Sequence, residues 1–181
     1  VSASADPSLA RTQAVELDRR ARTAMAARDA RQATALVREL VSRFPGFASG
    51  WLTASILDLD LGRTSAALQA CRQGVALAPD DGALRVQHVR CLAAAGRRLQ
   101  ALEAAHEARA MVSADPLLQH ELANAFSLLG EYSTALELMR AAAPADAPAP
   151  ALNYNMATVL RFLGRFAEAE TLLDAVIAAA P

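Results

Sequence analysis

Apolar residues recur along this chain in stretches with helical spacing, two to each block, and the blocks repeat on a fixed ruler. Gly62, Gly96, Gly130 and Gly164 stand 34 residues apart, and Ala67, Ala101, Ala135 and Ala169 follow five residues behind them. Run backward, the same ruler lands on Arg28 and Ala33; run to the prolines it gives Pro45, Pro79 and Pro181, with Ser113 and Ala147 between. A period of that length signals stacked supersecondary units that bury their apolar faces against one another. Each block carries one helical stretch before the glycine and one after, for instance 49–61 and 65–77. Glycine at the junction permits the tight turn, and an alanine five residues on lets the two backbones approach.

Start signals agree with this partition. Asp115 followed by Pro116 reads as a cap with proline in the first turn, Asp80 and Asp81 precede a helix carrying Leu84, Val89 and Leu92, and Asp6-Pro7 is a similar start. The predicted organisation is a lead-in at 1–13 and an array at 14–181, with units 14–47, 48–81, 82–115, 116–149 and 150–181. The stretch from Pro144 to Pro150 keeps the count and reads as a loose turn between units.

These positions carry a family resemblance. Trp51, Ala54, Ser55, Ala67, Cys71 and Pro79 fall at the spacing of the tetratricopeptide signature. Leu122, Ala123, Phe126, Ala135 and Met139 repeat it, as do Met156, Ala157, Leu160, Ala169, Leu173 and Pro181. Asp58, His88 and Arg28 depart from it, standing where leucine or tyrosine, leucine and glycine are usual. The resemblance implies an all-α fold, a right-handed superhelical solenoid of antiparallel helix hairpins whose first helices line a concave face. It also implies a non-catalytic module that binds a protein or peptide partner in that groove.

Positions i, i+4 and i+7 on each first helix share a face. They are Asp18, Arg22 and Met25, then Leu52, Ile56 and Leu59, then Val86, Arg90 and Ala93. His120, Asn124 and Ser127 follow, and finally Tyr154, Thr158 and Arg161 with Asn155 beside them. The expected groove is therefore apolar in the second unit and polar from the third onward. Its candidate ligand-binding residues are Arg22, Arg90, His120, Asn124, Tyr154, Asn155, Thr158 and Arg161. Asparagine and tyrosine suit a peptide backbone, and arginine suits a carboxylate. The lysine and asparagine clamp of chaperone-binding relatives is absent, with Asp18 and Arg22 at its first positions.

Composition narrows the function further. Hydrophobic residues make up 54% and aromatic residues 4%, about a quarter of the chain is alanine, and all 18 basic residues are arginine. That usage is the one expected of a GC-rich bacterial genome rather than of a chosen chemistry. A net charge of -1 gives no pull toward nucleic acid. No apolar run approaches the roughly 20 residues of a membrane span, so a soluble, cytoplasmic protein without membrane insertion is expected. His88, His106 and His120 lack metal-ligand spacing, and Cys71 and Cys91 form no CxxC, reading instead as small buried hydrophobes. Asp58 and Asp60 flank Leu59 and cannot share a helix face, so Asp58 is expected to pair with an arginine or reach solvent. With no Gly-rich phosphate loop and no G-x-S-x-G, neither catalysis nor a cofactor is expected.

The ends add two expectations. The chain starts at Val1, as a processed product or fragment does. The last hairpin stops at Pro181 without a capping helix, which predicts that Leu160, Leu173 and Val176 stay partly uncovered and that this end self-associates. The run from Leu152 to Gly164 also resembles the last repeat before the catalytic domain in bacterial tetratricopeptide–sulfotransferase fusions, and Ser42 to Phe47 followed by Trp51 is similar. Such proteins use 3′-phosphoadenylyl sulfate, held by a domain this chain does not contain. The alternative function is thus a substrate-presenting region of a sulfotransferase.

Overall fold

A computed structural model describes residues 7–112, 114–143 and 150–179. Ten helices run through them: α1 (Pro7–Ala26), α2 (Ala30–Arg43), α3 (Ala48–Asp60), α4 (Thr64–Leu77), α5 (Gly82–Ala94), α6 (Arg98–Met111), α7 (Pro116–Leu128), α8 (Tyr132–Ala142), α9 (Pro150–Phe162) and α10 (Phe166–Ala178). No strand occurs among the described residues. The chain divides into two units, Val1–Ala95 with α1 to α5 and Gly96–Pro181 with α6 to α10.

The starts of α2, α5 and α7 are fixed by side chains that capture free backbone N–H groups. Asp29 accepts from Gln32 at 2.9 Å, Asp81 from Leu84 at 3.0 Å, and Asp115 from Leu117 and Leu118 at 2.9 and 3.1 Å. Pro116 sits in the first turn of α7, where its missing N–H costs nothing. The expected cap at Asp6 and the stretch 144–149 lie outside the described residues.

The hairpin turns explain the glycine ladder. Gly62, Gly96, Gly130 and Gly164 all have φ between 70° and 78°, a left-handed conformation. Arg28, which replaces glycine in the first hairpin, keeps the same turn at φ 57°. Its N–H donates to the Met25 carbonyl at 2.9 Å and the Asp29 N–H to Ala24 at 3.0 Å. Gly62 and Arg63 make the matching pair of bonds to Leu59 and Asp58. A side chain in that region costs about 1–2 kcal/mol, against roughly 0.5–1 kcal/mol of extra chain entropy for glycine. Arg28→Gly is therefore expected to stabilise the first unit by about 0.5–1 kcal/mol. A urea titration checks this: the midpoint should rise at unchanged slope, and a fall would mean that the Arg28 side chain contributes more than its backbone costs.

In the first unit the small face of α1 (Ala14, Ala21, Ala24) meets Ala33, Leu36, Val37 and Leu40 of α2, and Ala54 and Leu57 of α3 join this core. Gly50 lets α3 close on α2, since a Cβ there would sit 3.1 Å from Leu40. In the second unit Phe126, Leu122, Met139, Val112 and Leu160 are fully buried. Ala33, Ala67, Ala101, Ala135 and Ala169, the alanine ladder, are each 2% exposed or less. Leu160 corrects an expectation: it is 1% exposed rather than partly uncovered. The reason is that α9 packs against both α8 and α10, so a residue on the face between them is covered from two sides. Leu173 and Val176 are half-buried.

Candidate functional site

In the second unit, α7 and α9 lie side by side, and their polar residues meet. The Asn155 side-chain amide stands 2.9 Å from Nε2 of His120 and donates to Oδ1 of Asn124 at 3.4 Å. When Asn155 donates to His120, the imidazole proton is on Nδ1. All three side chains are half-buried, so this network is held by two helices rather than one.

One face of α9 extends the network outward. Tyr154 is 57% exposed, and Thr158 and Arg161 follow it at one and two turns. The Thr158 hydroxyl donates to the Tyr154 carbonyl at 3.0 Å and keeps its lone pairs for another donor. Arg161 has no acidic partner among the described residues. It lines a cavity of about 280 Å³ with Thr158, Phe162 and Phe166. Phe162 stacks on Tyr132 with centroids 4.6 Å apart and planes within 1°.

The remaining two predicted residues lie in the first unit and are engaged there. Arg22 donates to Asp18 at 2.9 Å and to the Ser49 hydroxyl at 3.3 Å. Ser49 donates to the same carboxylate at 3.1 Å, and the fully buried Thr53 hydroxyl donates to its other oxygen. Asp18 thereby ties α1 to α3, and Arg22 completes the carboxylate's hydrogen bonds. Arg90 donates to Gln87 at 3.2 Å. Val86, placed by its spacing on the groove face, is 3% exposed. Sequence reading missed Ser49 and Thr53 as partners of Asp18; the signal available was their spacing of 31 and 35 residues, close to one period.

Cys71 and Cys91 are both fully buried thiols. Cys71 donates to the Leu84 carbonyl at 3.5 Å, and its pKa is pushed up by the hydrogen bond with Cys91 and by burial, which keeps it protonated. His106 meets the ring of Phe126 edge-on at 5.4 Å. Among the described residues no group of three or more His, Cys, Asp and Glu is arranged to hold a metal ion. Likewise, no helix there is long and apolar enough to cross a membrane.

The 34-residue ladder, the left-handed glycine turns and the helix pairs find their counterpart in a family comparison. The tetratricopeptide-repeat family model matches residues 11–179. The chain is a tetratricopeptide-repeat protein. Such proteins are generally non-enzymatic scaffolds and typically bind proteins or peptides. No curated protein sequence matches the chain. Among solved structures it is similar to TTC0263, a tetratricopeptide-repeat protein of Thermus thermophilus, with 19% identity, 93% of this chain and 92% of that one covered, and a TM-score of 0.78. It is also similar to pilF of Pseudomonas aeruginosa, with 13% identity, 95% and 78% covered, and a TM-score of 0.75. MamA of Desulfovibrio magneticus is similar too, with 14% identity, 91% and 93% covered, and a TM-score of 0.66. At these identities the likeness shows the fold, an all-α helical repeat.

Proposed function

We propose that this tetratricopeptide-repeat protein is a non-catalytic interaction module, and that the α7–α9 face of its second unit receives a peptide segment of a partner protein. The observation that carries the reading is the Asn155 amide bonded to both His120 and Asn124 across two helices, with Arg161 farther along α9 and without an acidic partner among the described residues. A network fixed before binding loses little side-chain freedom when a ligand arrives. Asn124 and Asn155 offer amide groups to a peptide backbone, Tyr154 offers a broad exposed ring, and Arg161 takes a carboxylate. Arg22 and Arg90, already engaged in the first unit, play a smaller part in this reading.

Replacing Asn124 and Tyr154 together by alanine is expected to lower the melting temperature by only a few degrees, since exposed Tyr154 contributes about 0.5 kcal/mol or less and half-buried Asn124 about 1 kcal/mol through its long hydrogen bond to Asn155. Partner capture should fall about tenfold or more, because a buried tyrosine contact is commonly worth about 2 kcal/mol. Pull-down from the source lysate with the wild type, the double variant and Arg72→Ala, an exposed α4 control, checks this. Retention of every partner by the double variant, with loss in the control, would place binding elsewhere.

The sulfotransferase reading rests on the run 152–164, which here covers most of α9, an ordinary first helix of a hairpin, and the turn after it. Sequencing the reading frame beyond Pro181 tests that reading directly.

A further inference from the structure

The first unit carries a groove of about 510 Å³ between α2, α3 and α4. Val37, Ala54 and Leu57 form an apolar floor, and Trp51 stands half-buried at its side. Arg38 lies at the rim, exposed and with no acidic partner among the described residues.

The repeat shows what this arginine lacks. Three periods along, Arg38 and Ala66 correspond to Arg140 and Glu168, which pair across the equivalent positions at 3.2 Å. Two periods along, Val41 and Gln69 correspond to Arg109 and Glu137, again paired at 3.2 Å. The second unit's cavity at the Arg140–Glu168 register is about 260 Å³. Its walls are bulkier, with Leu136, Met156 and Leu172 where the first unit has Thr34, Ala54 and Ala70. Compared with the Arg140–Glu168 register, the first unit has the cation without the glutamate and more space beside it, while the intervening repeats carry Arg72 with Gln100 and His106 with Thr134.

The remaining charges point the same way. Asp58 stands at the register of Leu160, and Arg63 holds its carboxylate at 2.7 Å. Two guanidinium groups therefore line the groove against one carboxylate, which leaves it net positive. A cavity of this size falls within the range of about 300–1,000 Å³ that small-molecule sites occupy, and Thr34, Gln69 and Gln73 add uncharged polar groups to its wall.

We propose that this groove binds a small amphipathic monocarboxylate, a straight acyl chain whose carboxylate takes the place of the missing glutamate on Arg38. The tail lies along Val37, Leu57 and Trp51, and the guanidinium forms paired hydrogen bonds to the head. The site lies in the first unit and is separate from the α7–α9 face.

Trp51 is the one tryptophan of the chain, so its fluorescence reports on the groove. The intact chain is titrated with decanoate below its micellar range and with decylamine, which has the same tail and the opposite charge. A saturable change with decanoate is expected, with decylamine about tenfold weaker or more. Arg38→Gln should weaken decanoate about tenfold. Ala66→Glu, at an exposed α4 position, should weaken it similarly and melt no lower than the wild type, because the new carboxylate stands where Glu168 pairs with both Arg165 and Arg140, and so meets Arg63 and Arg38. Circular dichroism establishes that each variant is helical, and Arg38→Gln decides alone should Ala66→Glu unfold. The proposal is overturned by equal response to the two probes, by wild-type affinity in Arg38→Gln, or by the lack of any saturable change.

Discussion

Phe126→Ala is expected to destabilise the second unit by about 3–5 kcal/mol, more than any other single truncation considered for this chain. Phe126 is the largest of the fully buried side chains and lies on α7, which packs against α6, α8 and α9. Truncation removes the apolar area it buries, the edge contact with His106 at 5.4 Å and the volume that its neighbours surround. In a repeat array each unit draws its core from the next, so a hole in one hairpin weakens its neighbours' support as well. Leu128, two residues along the same helix, is 76% exposed, and Leu128→Ala should change stability by about 0.5 kcal/mol or less. Thermal unfolding followed by circular dichroism would show the contrast as a midpoint lowered by roughly 10 °C or more in the first variant and hardly moved in the second. A Phe126→Ala protein that melts within about 2 °C of the wild type would mean that the α7 core collapses around the gap, and the packing account would fail.

That contrast between neighbours on one helix marks what the sequence states and what it leaves out. The period, the left-handed turns and the alanine approaches were legible because each is a backbone requirement repeated at one interval, and Arg28 kept the turn even where glycine is replaced. Helix ends were legible where a capping aspartate marks them, as at Asp81 and Asp115. The polar face of α7 and α9 was legible as a set of positions sharing helix faces. Whether a side chain on such a face is available is a different matter, set by partners on its own and on neighbouring helices. Arg22 is held by Asp18 and Ser49, and Leu160 is covered from α8 and α10 together. The groove at Arg38 was written in the sequence as a mismatch between Ala66 and Glu168, but it emerges only when repeat positions are compared as pairs rather than one by one.

Ala135→Leu tests the close approach on which the hairpin depends. Gly130 turns the chain at φ 78°, and five residues later Ala135, in the first turn of α8, is 0% exposed. Leucine is as good a helix former as the site needs, so propensity predicts almost no change. Packing predicts the opposite: three added carbons have no free volume at a fully buried alanine, and α7 and α8 must move apart or the side chain must leave its rotamer. Overpacking of this kind costs about 1–3 kcal/mol. Ala135→Gly adds no bulk and should cost only the helix propensity of about 1 kcal/mol, while Ala167→Leu, in the first turn of α10 and exposed, should be nearly neutral. Urea unfolding of the three variants separates the two accounts, with leucine at 135 expected to lower the midpoint more than glycine there. If Ala135→Leu instead matches or exceeds the wild type, the α7–α8 contact holds spare volume, and the alanine ladder records composition rather than a steric requirement.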